Sequence, residues 1–248
     1  MPSVSDLDTA FRSLQPSERL QSLRAQVDGT LVFTTSFGFE DQVLLHLIAA
    51  ARIDVAVATL DTGRLFPETY ELWARTEARY DVKIRCFSPE AAPLQALISA
   101  QGINGFYASP ANRSACCGVR KIQPLGLALA GAAGWITGLR ADQSANRQAM
   151  PFVEWDAARG LIKANPLLDW SRERIAQFAE AEDVPINPLH AQGFVSIGCA
   201  PCTRAIAPGE DERAGRWWWE QDRTKECGLH VGADGKLVRS VAASGAGR

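Results

Sequence analysis

Two pairs of cysteines are spaced closely enough for each pair to act at one site. Cys116 and Cys117 are adjacent in the stretch SACCGVRK, and Cys199 and Cys202 form a C-x-x-C pair in GCAPCTR. C-x-x-C spacing is common in zinc sites, redox-active disulfides and iron–sulfur clusters, and alone it favours zinc. Together, the two pairs predict a four-thiolate metal site.

The adjacency of Cys116 and Cys117 changes which metal is favoured. Adjacent α-carbons are about 3.8 Å apart, so binding one tetrahedral zinc through both thiolates closes a tight ring. A cube of iron atoms offers each sulfur its own metal. The pair therefore favours an iron–sulfur cluster. The alternative is that both cysteines are small buried apolar residues, next to an unrelated C-x-x-C pair.

Two cysteines remain of the six in the chain. Cys86 lies in the predicted strand VKIRCF, where we expect it to be buried. Cys227 lies in RTKECGLH, between Arg223, Lys225 and His230, whose positive charge would favour the reactive thiolate. No second cysteine lies nearby to resolve an intermediate on Cys227. An external thiol would have to recycle it.

Lys121 follows Cys117 by four residues, so a helix would place both on one face. A cation there could act beside a negatively charged metal site. The alternative is an ordinary exposed lysine on a helix.

The elements that must position these residues alternate between strands and helices. Apolar runs at 31–38, 54–63, 81–87 and 134–140 predict strands, and helical patterns follow at 41–51, 68–80 and 91–100. Residues 152–167 predict a hairpin and 171–184 a capped helix. The alternation predicts an α/β fold, a parallel twisted sheet flanked by helices, with ligands at the carboxyl ends of its strands.

Composition limits the class of protein further. The 248 residues are 46% hydrophobic and 22% charged, which is ordinary for one globular core, and the net charge of −2 gives no sign of nucleic-acid binding. The N-terminus has no secretory pattern and no run is long enough to span a membrane, so we expect a cytoplasmic protein. Structural disulfides are rare there.

The chain divides near Pro208. We predict a nucleotide-binding domain over 1–207 and a mobile C-terminal tail over 208–248, because the later segment mixes charge, glycine and alanine with one triplet of tryptophans. The triplet, Trp217, Trp218 and Trp219, would anchor closure of the tail or serve only as packing.

Six motifs in consistent order resemble the assimilatory phosphosulfate reductase family, and more narrowly its iron–sulfur members that reduce adenylyl sulfate (APS). They are SFGFED (36–41), LDTG (60–63), CCGVRKIQPL (116–125), TGLRADQSANR (137–147), GCAPCTR (198–204) and RWWWEQDRTKECGLH (216–230). The resemblance covers residues 30 to 230. It implies a fold like that of the adenine nucleotide α-hydrolases, related to the PP-loop enzymes, which agrees with the strand–helix pattern.

The resemblance also implies a set of substrate contacts. The loop with Ser36, Phe37, Gly38 and Asp41 looks like a modified phosphate loop, and its position before a helix suits an anion. Other implied contacts lie at the sheet edge, in an arginine-rich loop that suits the phosphosulfate, and in the tail. These are Thr62, Gly63, Arg140, Arg147, Arg213 and Arg216.

The chemistry implied is reduction of APS to sulfite and AMP in sulfate assimilation for cysteine biosynthesis. Cys227 would be the nucleophile, aided by Lys121 and His230, and thioredoxin or a glutaredoxin-like donor would release sulfite. The four paired cysteines would hold a 4Fe-4S cluster. A homo-oligomer is compatible with the sequence, and neither nucleic acid nor membrane is an expected partner.

Other functions stay open at this stage. The chain could reduce 3'-phosphoadenylyl sulfate (PAPS), or both substrates. It could also be a non-catalytic metal- or nucleotide-binding module, although that leaves Cys227 unexplained. An ATP-using relative is disfavoured because SFGFED replaces the SGGxDS loop.

Overall fold

A six-stranded sheet forms the centre of the protein. The structure is a computed structural model, and it describes residues 3–144 and 147–220. The strands run in the order β3-β2-β1-β4-β6-β5. All neighbouring pairs are parallel except β5 and β6, which form an antiparallel hairpin. The strands are β1 (Leu31–Thr35), β2 (Ala56–Leu60), β3 (Arg85–Phe87), β4 (Gly134–Ile136), β5 (Val153–Asp156) and β6 (Leu161–Ala164).

Helices cover both faces of the sheet. They are α1 (Val4–Phe11), α2 (Pro16–Gln26), α3 (Phe39–Ala50), α4 (Pro67–Tyr80), α5 (Ala91–Gln101), α6 (Pro110–Cys117), α7 (Gln123–Ala128) and α8 (Arg172–Ala181). Side chains of Ser3, Ser109 and Ser171 cap α1, α6 and α8 by accepting from backbone N–H groups, which satisfies donors left free by the first turn.

Alternating residues of the central strands supply two separate cores. Leu31 and Phe33 of β1 face the core that contains α1, α2, α3 and α8. Val32 faces the opposite core, where it joins Trp135 and residues of α7. Burial on both faces explains why the parallel strands are almost continuously apolar.

The predicted fold class is confirmed, and most elements lie where the sequence placed them. Two further helices, α1 and α2, precede the first strand. The hairpin turns at Gly160, whose φ of +68° is readily adopted by glycine. The expectation that Cys86 is buried is wrong: β3 is the edge strand of the sheet, and its Cys86 is exposed.

Part of the predicted tail packs against the rest of the protein. Within 208–220, Trp217 is buried and belongs to a cluster with Cys199 and Cys202, so the prediction of a mobile tail is wrong for this residue. Thr203 and Arg216 form an antiparallel bridge that joins the two segments. Cys227 and His230, for which catalytic roles are predicted, lie outside the described residues. No helix in the described part of the chain is long and apolar enough to cross a membrane.

Candidate active site

The adjacent cysteines close helix α6 where the backbone changes its winding. Cys116 and Cys117 are the last residues of α6, and Gly118–Ile122 continue as a π-helical turn that contains Lys121. Single π-turns of this kind occur frequently at functional sites. The π-turn also means that Lys121 does not follow Cys117 with the ideal α-helical spacing that the sequence suggested.

The second pair lies on a short 3₁₀ turn, Ala200–Cys202, that begins after Cys199. The Cys202 N–H and the Thr203 hydroxyl both donate to the Cys199 carbonyl, each at 2.9 Å. The Ala200 N–H donates to the Arg64 carbonyl at 2.8 Å, which ties the turn to the loop after β2. These contacts fix the backbone of the turn that carries both cysteines.

The structure brings the two pairs into one place. Cys199 and Cys202 share a buried apolar cluster with Phe106 and Trp217, and Cys116 packs against it. Cys117 is close enough to Cys202 for a negative charge on one thiol to raise the pKa of the other. Thiols from segments more than 80 residues apart in the chain therefore lie near one another.

Positive side chains surround this cysteine cluster. The Arg120 guanidinium lies beside the Cys116 thiol and donates to the Thr62 carbonyl at 2.5 Å. Arg113 hydrogen-bonds to the Cys117 thiol and pairs with Glu220 at 2.6 Å. Both arginines are buried, which is costly without a partner of opposite charge. Their positions favour negative charge on the sulfurs.

The pKa values of the thiols reflect a balance between burial and these cations. Burial raises the pKa of Cys199, but Lys121, the 3.2 Å contact with the Thr62 hydroxyl, and the charges of Arg216 and Arg120 together lower it. Burial, followed by the neighbouring Cys199, raises the pKa of Cys202 to about 12. Burial also raises the pKa of Cys116 despite the nearby Arg120, so the surroundings favour the thiolate at Cys199 and disfavour it at Cys116 and Cys202.

Soft thiolate donors are the appropriate ligands for iron–sulfur clusters and zinc. Among the described residues, no group of three or more His, Cys, Asp or Glu side chains could hold a metal ion as placed. The donor set fits a cluster better than a single ion, because adjacent Cys116 and Cys117 can each bind a different iron. Cys199 and Cys202 complete four donors.

A cavity opens beside the cysteine cluster at the carboxyl ends of β1, β2 and β4. It is lined by predicted site residues from five parts of the chain. These are Ser36, Gly38, Asp41, Thr62, Lys121, Arg147, Arg213 and Arg216. Three other predicted residues, Phe37, Gly63 and Arg140, are not among the residues that line it.

One end of the cavity is cationic. The charges of Lys121 and Arg216 both act on Cys199, which places this end beside the cysteines. The Arg216 guanidinium lies directly over Gly198, where any side-chain carbon would collide with it. Arg213 and Arg216 also lie 5.9 and 4.8 Å from the centre of the Trp217 ring. An anion entering the cavity would be attracted to this end.

The loop after β1 differs from a phosphate-binding loop. The Asp41 carboxylate accepts from the Ser36 N–H at 2.6 Å and from the Ser36 hydroxyl at 2.8 Å. An internal carboxylate thus occupies donors that a phosphate would need. Burial raises the pKa of Asp41 to about 6, although the Ser36 hydrogen bonds oppose the shift. The loop is better suited to a neutral group.

Phe37 and Arg140 are buried next to residues of the cavity wall but do not line the cavity themselves. Phe37 has a left-handed φ of 58°, and its buried ring stacks on Trp73 at 5.6 Å. Arg140 is fully buried and pairs with Glu40 at 2.7 Å, with Glu212 at 2.9 Å and with Asp142. In this arrangement, Arg140 links the sheet edge to the 208–220 segment, and its guanidinium is committed to carboxylates.

Three contributors to the site were not found from the sequence. Arg113 and Arg120 flank the cysteines, but their spacing alone resembles that of surface arginines. His190 lines the cavity from a 3₁₀ turn, Pro188–Gln192. In the sequence it resembles an ordinary loop histidine; the structure adds a hydrogen bond of 2.7 Å between its Nδ1 and the Phe194 carbonyl oxygen. The only sequence feature that could have identified these two arginines is that they lie three residues before Cys116 and three residues after Cys117.

The parallel sheet, with a cavity at the carboxyl ends of its strands, is typical of α/β proteins that bind nucleotides, and the cationic end of this cavity lies beside the cysteine cluster. Comparison with known proteins places the protein more closely: residues 30–205 match the phosphoadenosine phosphosulfate reductase domain. The chain belongs to this family.

Two relatives of this chain share one name. The chain is 53% identical over 240 residues to the "Adenosine 5'-phosphosulfate reductase" of Sinorhizobium fredii strain USDA 257, covering 97% of this chain and 95% of that one. It is 50% identical to the protein of the same name from Allochromatium vinosum, covering 92% and 89%. Membership of this family, predicted from six sequence motifs, is confirmed.

Solved structures agree on the fold. The phosphoadenylyl-sulfate (PAPS) reductase of Candida auris superposes with a TM-score of 0.70 at 25% identity, over 82% of this chain and 96% of that chain. An FMN adenylyltransferase of Candida glabrata, at 14% identity and a TM-score of 0.52, covers 95% and 79% and shares the fold alone.

Proposed function

We propose that this protein reduces adenosine 5'-phosphosulfate to sulfite and AMP in sulfate assimilation for cysteine biosynthesis. The observation that carries the proposal is its 53% identity, over 97% of the chain, to a protein named adenosine 5'-phosphosulfate reductase. The cavity supports it independently, because a cationic end beside buried thiols suits a phosphosulfate group.

The two predicted parts of the chain would divide the work. Residues 1–207 would bind the nucleotide, and the segment 208–248 would bring Cys227 to it. Arg213 and Arg216 already lie in the cavity wall, so the start of this segment is close to the substrate. We propose that Lys121, Arg147, Arg213 and Arg216 contact the phosphosulfate, while Arg140 positions the loops behind it.

The transfer would proceed in two steps. The Cys227 thiolate attacks the sulfur of the substrate, the bond from sulfur to the bridging phosphate oxygen breaks, and AMP leaves with that oxygen. A thiolate of reduced thioredoxin then attacks the Cys227 sulfur and displaces sulfite. The second thioredoxin thiol resolves the mixed disulfide, so thioredoxin supplies both electrons. His230 would assist Cys227, and a glutaredoxin-like donor could replace thioredoxin.

Cys116, Cys117, Cys199 and Cys202 would hold a 4Fe-4S cluster. When bound, the cluster supplies structural cross-linking and a local electric field, not a site of substrate attachment. Lys121 would balance negative charge near the sulfate end of the substrate. Arg113 and Arg120 would stabilise the thiolates, since both lie against the first cysteine pair.

The setting follows from this chemistry. Reduced thioredoxin and a reactive thiol require a reducing compartment, so we propose that the protein works in the cytoplasm. Its partners would be the substrate and a small dithiol protein.

A single-turnover experiment tests the transfer. Anaerobically purified protein is mixed with ³⁵S-labelled APS without a reductant, and label on the protein is mapped by peptide digestion. We expect label on Cys227 that reduced thioredoxin releases as sulfite, and none in Cys227→Ser. Label retained by Cys227→Ser would show that another thiol attacks and would contradict the mechanism.

PAPS is the second candidate substrate, because the structure resembles a PAPS reductase with a TM-score of 0.70. The greater identity to proteins named for APS makes APS the preferred substrate. Comparing kcat/KM for the two substrates separates the candidates. Comparable values would show dual specificity, and a higher value for PAPS would reverse the assignment.

A further inference from the structure

His190 forms part of the cavity wall, in a position that none of the predicted roles uses. It lies on the Pro188–Gln192 turn, and its ring stacks on Phe39 with 5.1 Å between centroids. Asn187 fixes the start of the turn by accepting from the Leu189 N–H at 3.0 Å. The ring is therefore held in place by packing and by the backbone around it.

The hydrogen bond at one ring nitrogen determines the chemistry of the other. His190 Nδ1 lies 2.7 Å from the Phe194 carbonyl oxygen, which can only accept, so Nδ1 carries the proton. Burial lowers the pKa of His190, and the nearby Arg172 adds to this effect against the opposing Phe194 hydrogen bond. The ring is neutral near pH 7, which makes Nε2 a hydrogen-bond acceptor.

Nε2 has no hydrogen-bond partner among residues 3–144 and 147–220. It is buried and makes no hydrogen bond in the part of the chain that the structure describes. A buried acceptor without a donor destabilises the protein. Since the ring belongs to the cavity wall, a ligand in the cavity is the natural source of that donor.

The position of His190 indicates which half of a ligand it would meet. The cationic end of the cavity acts on Cys199 through Lys121 and Arg216. The charged groups that act on His190 are instead Arg172 and Glu40. Lys121 and Arg216 are not among the charges that act on His190, so His190 lies in a different part of the cavity wall from the cationic end. If the phosphosulfate takes the cationic end, the nucleoside half of the ligand is the part that His190 would meet.

We infer that His190 Nε2 accepts a hydrogen bond from the nucleoside half of the substrate, through a ribose hydroxyl or the adenine amino group. This inference rests on the proposed function. It makes His190 a substrate-binding residue. If the donor is the 3'-hydroxyl, the same contact discriminates against a 3'-phosphate, which has no proton to donate at that position near neutral pH.

Two substitutions separate this role from a structural one. His190→Asn can keep the donor to Phe194 but has no acceptor at the Nε2 position. His190→Gln can place an acceptor near Nε2 but loses the Nδ1 contact. His46→Asn is the control, because His46 contacts Tyr80 and Glu182 and is not among the residues of the cavity wall.

Equilibrium binding to the anaerobically purified holoprotein is measured for AMP, 2'-deoxy-AMP, 3'-deoxy-AMP and inosine monophosphate. We expect His190→Asn to weaken AMP binding up to about tenfold, the value of one hydrogen bond, with partial recovery in His190→Gln. One analogue should bind wild type more weakly than AMP and be insensitive to His190→Asn. That analogue identifies the donor.

Three results would each overturn the inference. The first is that His190→Asn weakens the binding of all four ligands by the same factor. The others are that His190→Asn binds AMP as tightly as wild type does, or that wild type does not bind AMP. The measurement does not depend on turnover. A protein that fails to reduce APS but shows the coupling would refute the proposed function alone. A protein that reduces APS without the coupling would refute the inference alone.

Discussion

Lys121 shows how one side chain can affect both the cysteines and the substrate. It lines the cavity, and its charge lowers the pKa of Cys199. Lys121→Ala should slow sulfonate transfer to Cys227 by about two orders of magnitude, because a lost charge contact near a leaving group costs about 3 kcal/mol. Single-turnover labelling measures this rate.

The control for Lys121 is Lys83→Ala, which removes an exposed lysine that is not among the cavity-lining residues. It should transfer sulfonate at the wild-type rate. A Lys121→Ala rate equal to that of the control would remove Lys121 from the reaction.

Asp41 gives the site a pH dependence. Its pKa is raised by burial from 3.8 to about 6, so the folded protein holds this proton more tightly than the unfolded chain. Stability contributed by the protonated form is complete at low pH and is lost as pH rises through about 6, by about 3 kcal/mol. Asp41→Asn should therefore stabilise the protein at pH 7 and have little effect at pH 4.

Thermal unfolding midpoints of wild type and Asp41→Asn, compared between pH 4 and pH 7, test this sign. The difference should grow with pH. A constant difference would mean that Asp41 titrates normally.

Residue types revealed part of the site and concealed the rest. The adjacent Cys116 and Cys117 point to metal chemistry from sequence alone, because few other roles require neighbouring thiols. Arg140 appeared to be a substrate clamp, yet its charge is balanced by Glu40 and Glu212, which lie 100 and 72 residues away. Partners so distant in sequence leave no local pattern.

At the scale of elements, α6 with its π-turn and the Ala200–Cys202 turn must meet for the cysteines to act together. Serine at Cys116, Cys117, Cys199 or Cys202 should remove iron and acid-labile sulfide along with most activity, because serine is a poor ligand for these clusters. Iron and sulfide analysis of anaerobically purified variants measures the loss.

Cys86→Ser provides the matched control, because Cys86 is exposed on β3, away from the cluster of buried cysteines. It should retain full iron and sulfide. Zinc in the wild-type protein, with no iron, would contradict the cluster assignment.

Two arginines from one loop should differ in their roles. Arg140 is fully buried between carboxylates of three segments, so Arg140→Met should lower the free energy of unfolding by about 3 kcal/mol by leaving those charges unpaired. Arg147 lines the cavity, and Arg147→Met should mainly weaken nucleotide binding.

Chemical unfolding and AMP binding, measured on both arginine variants, separate the two roles. Equal losses of stability would contradict the assignment of Arg140 as the positioning residue.

For the whole molecule, periodicity was sufficient to predict the fold. Apolar strands alternating with helices indicated a parallel sheet, and the loops after β1, β2 and β4 do meet at one edge. Periodicity could not show that Trp217 is buried, since its contacts with the Cys199 turn come from a distant segment. Periodicity also could not show that β3 is the edge strand of the sheet, which is why Cys86 is exposed and not buried.

Sulfite release from APS, measured under anaerobic conditions with reduced thioredoxin, tests the proposed activity most directly. Wild-type protein should release one sulfite for each AMP formed and oxidise one thioredoxin dithiol, with a higher kcat/KM for APS than for PAPS. Cys227→Ser should release none. AMP formation accompanied by sulfate instead of sulfite, or no reaction by iron-loaded protein, would contradict the assignment of this chain as an APS reductase.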